Sequence, residues 1–296
     1  MRGGALSQLD TQALHYYALP GPVTDPGEHA GSLESLPSAL PELCGVVQGL
    51  LIHVLEAQRY GVTLPMVRKQ DLQIGQVAGI LARVLELDPR PLAVARPPEG
   101  RIVATCHDFA TLLCAMLQRQ GRPARARSGF ATYLVPGRYI DHWVCEVWSP
   151  QQARWLLVDA QLDDVLRRAY RVPFDPCDVP PEQFWTAGRA WQTCRASQAD
   201  PADFGFARWW GMGYLRHSLL RDLWALNKIE LLPWRSTGLP ERDEPDMTEA
   251  ERAELDRIAA LTLAGDCALP ELQVAYEQTV RLGSPPDAPL WQPDQV

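Results

Sequence analysis

The chain has no uninterrupted apolar run of roughly 18 residues, so nothing in it reads as a membrane-spanning helix. Its opening, MRGGALSQLDTQAL, also lacks the continuous apolar core of a secretory leader. A cytoplasmic location with no membrane partner is the expectation. Basic charge is in deficit, with 28 Lys and Arg against 36 Asp and Glu and a formal net charge of −8. Proteins that track phosphate backbones carry the opposite balance, so nucleic acid is not an expected partner. The 7 cysteines are an odd count without a tight framework, which argues against a disulfide scaffold and fits reduced thiols. No internal repeat, P-loop or dinucleotide-binding glycine pattern is found, and no cofactor is called for.

What is present is enough apolar material, 46% of 296 residues, to bury a sizeable core. Residues 1–42 read as an irregular lead-in, with Pro, Gly and Ser concentrated between Leu19 and Pro41. Leu43, Val46, Val47, Leu50, Leu51, Val54 and Leu55 then recur at helical spacing and predict a helix ending near Gly61. His53 falls inside it and reads as a structural or surface histidine. Ile74, Val77, Ala78, Leu81 and Leu85 predict a second helix, stopped at Asp88 and Pro89. Residues 43–179 form the predicted core. Residues 180–282 read as mainly helical, with a helix around Leu215 to Leu226, a capping box at Thr248 and Glu251, and a last helix opened by Pro270. Residues 283–296 are a Pro-rich tail. Six tryptophans lie between residues 180 and 235, where they serve either a core or a groove.

The strongest signal lies between Arg101 and Asp164. In RIVATCHDFATLLCAMLQRQGRP, Thr105 and Asp108 form a capping box that opens a helix from about Cys106 to Gln120, with Gly121 and Pro123 as its stop. Cys106 thus sits in the first turn, where orphan N–H groups and the positive dipole end stabilise a thiolate. RPARARSGFATYLVPGRY then reads as a strand with a Pro136-Gly137 turn. Arg119, Arg122, Arg125 and Arg127 make a local basic stretch that suits either an anionic substrate or a solvated strand and helix end, and the solvated reading is favoured.

DHWVCEVWSPQQARWLLVDAQ alternates as two strands, about Asp141–Trp148 and Arg154–Ala160. A turn centred on Pro150 and Gln151 pairs Glu146 with Trp155 and Val144 with Leu157. It also puts His142 directly opposite Asp159, close enough for the carboxylate to accept the imidazole Nδ1–H. A one-residue slip separates the two side chains onto opposite faces.

The run CHDFATLLCAMLQRQGRPARARSGF, followed by DHWVCEVW and WLLVDA, resembles the transglutaminase-like superfamily of papain-fold thiol enzymes. That group includes animal transglutaminases, peptide N-glycanases and microbial cysteine peptidases. The resemblance implies an α+β fold in which the helix of the active-site Cys packs on an antiparallel sheet. It implies Cys106 as nucleophile, His142 as general base and acid, and Asp159 as the residue that orients His142. The implied chemistry is a thioester formed from a glutamine side chain or peptide amide, with the acyl group passed to an amine or to water. Hydrolysis alone, or a silent binding module, are the alternatives, and the substrate is a protein, a peptide or a small amide. Thr105 stands where family members often have Gly, and Ala160-Gln161 where they often have Pro-Thr. No acidic cluster matches the calcium sites of animal transglutaminases. Zinc is disfavoured, because on a strand Cys145 points away from His142 and Cys114 lies mid-helix. His107 is turned by about 100° from Cys106 and is expected to face solvent or a neighbouring loop. The Cys106 backbone N–H is one candidate donor to a tetrahedral oxyanion, with Tyr60, Gln73 and Gln76 as possible second donors.

Overall fold

The computed structural model describes residues 8–234 and 247–282, with the side chains of 8–10 and 280–282 left aside. The expected Pro-rich tail, 283–296, lies outside these residues, as does the start of the lead-in.

The lead-in is more ordered than its composition suggests. Helix α1, Gln8–Ala18, docks through Ala13 and Tyr17, whose hydroxyl donates to the Leu226 carbonyl at 2.9 Å. Helix α2 spans Leu40–Leu50 and stops there, and residues Leu51–His53 form strand β1. The predicted continuation to Gly61 is therefore wrong. Leu51 leaves the helix with extended backbone (φ −116°, ψ 149°), and the chain pairs in parallel with β2, Ile102–Ala104. Helix α3 runs Val77–Leu87, close to expectation.

Helix α4, Cys106–Arg119, is the centre of the fold. Every residue from Cys106 to Gln118 is buried, so the helix is enclosed on all faces. Its opening is fixed by Asp108, whose Oδ2 accepts the Thr105 backbone N–H at 2.7 Å and the Thr105 hydroxyl at 3.1 Å. Gly121, at φ +71°, takes the left-handed conformation that lets the chain turn back into the sheet.

Strands β3 (Ala124–Ala131), β4 (Tyr139–Ser149) and β5 (Arg154–Val158) pair antiparallel as a meander. After β5 come α5 (Asp164–Tyr170), β6 (Phe184–Thr186), α6 (Ala187–Arg195), β7 (Phe204–Phe206) and β8 (Trp209–Trp210). Helices α7 (Met212–Leu226), α8 (Glu249–Ala264) and α9 (Leu269–Leu282) complete the described chain. The mainly helical region thus adds three short strands to the sheet. β6 pairs antiparallel with β3, whereas β7 pairs parallel with β4. The architecture is α+β, with the Cys106 helix packed on a mostly antiparallel sheet.

One apolar cluster joins α2, α3 and α4 to Ala124, Ala126, Trp143 and Cys145. A second joins α6 through α9 to Phe130 and Phe204. Because β3 is buried along its whole length, the favoured solvated reading of its arginines fails. Arg127 is only 4% exposed and binds Asp222 of α7 through two bonds of 2.9 and 2.8 Å, with Glu146 at 3.0 Å. Arg125 binds Glu146 and Asp266, both at 2.7 Å. These pairs tie the hairpin to the C-terminal helices. Burial opposes ionisation of Glu146, but Arg127 and Arg125 outweigh it and hold the carboxyl down at about 2.

Residues 249–279 include a window of mean hydropathy 1.2, apolar enough on length and composition to cross a membrane. Their Leu255, Ile258 and Ala259 belong to the second core cluster.

Candidate active site

The hairpin register differs from the predicted one by two residues. Glu146 pairs with Leu157 and Cys145 with Val158, so the connection takes residues 150–153 with Ala153 at φ +50°. Asp159 lies just past the end of β5 and sits diagonally from His142 rather than opposite it. A two-residue shift keeps alternate side chains on the same face, and the pair survives. His142 Nε2 lies 2.8 Å from Asp159 Oδ2, with the side chains only 2% and 1% exposed.

The ring is turned the other way from the expectation, since Asp159 engages Nε2 and not Nδ1. Nδ1 is left free of Asp159, and Cys106 is near enough to act on the ring. Burial works against a charged imidazole here, but the Asp159 charge and hydrogen bond, joined by Cys106, raise the His142 pKa to about 10. Burial likewise opposes the Asp159 carboxylate, and His142 outweighs it, holding the group below its ordinary value.

Asp159 is saturated with donors. Tyr133 donates its hydroxyl to Oδ2 at 2.6 Å, and the Gln161 backbone N–H donates to Oδ1 at 3.0 Å. Nothing in the sequence marked Tyr133, which follows β3 in a stretch that reads as strand and turn. Opposite His142 on β3 stands Gly129, where a Cβ atom would lie 2.3 Å from the Trp185 carbonyl oxygen. Only glycine admits β6 this close to the His142 strand.

Cys106, at the first position of α4, is 8% exposed and borders a cavity of about 460 Å³. His142, His53, Thr105, Gln161 and Trp234 share that lining. Trp234 is therefore the member of the tryptophan-rich stretch that reaches the site, while Trp191 is core and donates to Asp256 at 2.7 Å. Asp141, next to His142 and also on the cavity wall, is paired with buried Arg221 of α7.

His107 faces a loop and not solvent: it is fully buried, with Nε2 2.9 Å from the Glu230 carbonyl oxygen and its ring edge-on to Trp143. Cys114 and Cys145 face each other at 3.3 Å inside the first core cluster, not in the cavity. None of the three suggested second oxyanion donors borders the cavity. Tyr60 donates to Asp163 at 2.9 Å, and Gln73 and Gln76 are exposed. His53 does border it, and the sequence reading missed this because it placed the residue on a helix. No group of three or more metal-ligating side chains is found among the described residues.

The structure thus brings together a thiol at a helix start, a buried His–Asp pair on an adjoining strand and one cavity shared by thiol and imidazole. Residues 89–160 match the family model of the transglutaminase-like superfamily. No curated protein matches the sequence. Among solved structures, a candidate cysteine protease from Cytophaga hutchinsonii aligns at 14% identity with a TM-score of 0.34. The alignment covers 61% of this chain and 46% of that one, so the chain spans less than half the length of its structural neighbour.

Proposed function

We propose that the protein is a thiol acyl-transfer enzyme in which Cys106, His142 and Asp159 act as a triad. The observation that carries this reading is the buried 2.8 Å contact of His142 with Asp159, with Cys106 and His142 lining the same cavity. His142 Nδ1 accepts the thiol proton, and Cys106 Sγ attacks the carbonyl carbon of a glutamine side chain or peptide amide. The protonated ring then delivers that proton to the departing nitrogen, leaving an acyl thioester. His142 next deprotonates an incoming amine or water, which releases the acyl group and restores the thiol. Asp159 holds the ring with Nε2 protonated and offsets its positive charge, while Tyr133 and the Gln161 N–H hold Asp159 in turn.

The test is intact-protein mass spectrometry after brief exposure to iodoacetamide at about pH 6, where an ordinary thiol near pKa 8.5 is almost wholly protonated and slow. Fast addition of a single label, lost in Cys106→Ala, is expected. Ammonia release from a glutaminyl peptide, with and without a primary amine, then reads the acyl step and its acceptor. Equal labelling or equal ammonia release in wild type and Cys106→Ala overturns the reading.

A further inference from the structure

A tetrahedral intermediate on Cys106 needs more than one hydrogen-bond donor for its oxyanion. The Cys106 N–H is one, because the first helical residue has no acceptor within its own helix. The geometry points to His53 as the second donor, through Nε2–H, an assignment that rests on the acyl-transfer reading above.

Three observations converge on this ring. The first is position: His53 ends β1 in register with Ala104, and the next residue, Val54, donates its N–H to the Ala104 carbonyl at 2.9 Å. The parallel pair therefore delivers His53 beside the residues that lead into Cys106, and both line the cavity. The second is tautomer: the Leu55 backbone N–H points at His53 Nδ1 from 3.3 Å, so that nitrogen is the acceptor and a neutral ring carries its hydrogen on Nε2. Among the described residues Nε2 has no hydrogen-bond partner. The third is charge state. Burial pushes the ring down to about 4, with the charge of His142 acting in the same direction against Glu56, Asp108 and Asp159. His53 therefore stays neutral beside the positively charged His142. It is too weak a base to compete for the thiol proton, yet it keeps an N–H to offer.

Gln161 is the rival on the same wall, 5% exposed. Its Oε1 is buried without a partner, and its Nε2 makes no hydrogen bond among the described residues, so the Gln161→Leu arm of the experiment below separates the two.

The experiment compares two reactions of the same thiol in the full-length protein. Acetylation by p-nitrophenyl acetate passes through an oxyanion and is read by nitrophenolate release and an acetyl mass on Cys106. Alkylation by iodoacetamide displaces iodide at a saturated carbon and forms no oxyanion. For His53→Phe, acetylation should fall about a hundredfold, the usual order for one lost oxyanion donor, while alkylation of Cys106 stays within about twofold. His53→Gln, which keeps an N–H, should recover much of the loss. Should His53→Phe label cysteines beyond Cys106, a sign of an opened fold, His53→Met is the second donor-free variant. A parallel fall of both reactions makes His53 a modulator of the thiol and overturns the proposal, as does no change in either. Loss on Gln161→Leu with none on His53→Phe transfers the role to Gln161. A wild type that alkylates quickly but is never acetylated on Cys106 sinks the underlying acyl-transfer reading itself, a result separable from all the others.

Discussion

Replacing Asp159 by Asn changes one atom and keeps the side chain's shape, so it isolates what the charge does. In the native site Asp159 accepts from three donors, with His142 and Tyr133 on Oδ2 and the Gln161 N–H on Oδ1. An amide satisfies at most two sides of this arrangement. With its oxygen toward Gln161, the amide NH₂ meets His142 and Tyr133. With the oxygen turned toward them, the NH₂ meets the Gln161 N–H. The first orientation suits the ring only if Nε2 becomes the acceptor, which moves the hydrogen to Nδ1 and removes the lone pair that faces Cys106.

The size of the effect follows from the His142 pKa, which stands at about 10 with the carboxylate present. Without it, burial opposes the charged ring with only Cys106 left in its support, and the value falls toward the unperturbed 6.5. The loss in proton affinity is about three-thousandfold, about 5 kcal/mol of differential interaction. Histidine C–H resonances followed by NMR from pH 5 to pH 10.5 test this, with His142→Gln identifying the signal. The His142 resonance should titrate near the alkaline end in wild type and near or below neutrality in Asp159→Asn. Acyl transfer should drop by about 10²–10⁴, the range for losing general acid–base assistance. An unchanged His142 titration in the variant refutes the claim that Asp159 sets the charge of the ring.

Two further outcomes follow from buried charge elsewhere in the fold. Arg127→Leu strands Asp222, which is fully buried, and half of Glu146's partners, so thermal or urea unfolding should show a loss of about 3–5 kcal/mol, with Lys failing to restore the two-bond geometry. Glu230, 4% exposed and with Oε2 unpartnered, is raised by burial to about 7 against the opposing pull of His107 and Lys228. A carboxyl raised in the folded state contributes stability that is full below about pH 4.3 and lost as pH rises through its native value. Glu230→Gln should therefore unfold later than wild type at pH 8, by up to about 3 kcal/mol, and show little such gain at pH 5. Equal gains at both pH values refute a titrating Glu230.

Local chemistry made the Cys106 helix and the hairpin legible. The Thr105–Asp108 box, the apolar period through Leu117 and the Gly121 stop are all contained in the segment they organise, and α4 runs Cys106–Arg119 as that grammar requires. Strand alternation around His142 and Asp159 was just as local, and it tolerated an error. The turn is longer than Pro150-Gln151 alone, because Ala153 takes a left-handed conformation and Ser149 Oγ accepts the Gln152 N–H at 3.3 Å. That moved the register by two, an even number, which leaves side chains on the face where they started. The α5 helix and the strands β6 to β8 were less legible, since strands of two or three residues are too short to show a period.

His53 was hidden for a different reason. From Leu43 to Leu55 the apolar residues keep a helical spacing that Gly45 and Gly49 weaken but do not break, with neither Pro nor a capping residue at Leu50 or Leu51. What ends the helix is Ile102–Ala104, far along the chain, which offers β1 a parallel partner and buries Leu51 and Ile52 to 1% exposure. A parallel pairing leaves no turn signature, and its two strands read separately as three apolar residues each. The same pairing sets His53 beside the Cys106 helix. The feature that defeats local reading is thus the one that builds this wall of the site, and a histidine placed by β1 faces a cavity that a histidine on a continuous helix would not reach.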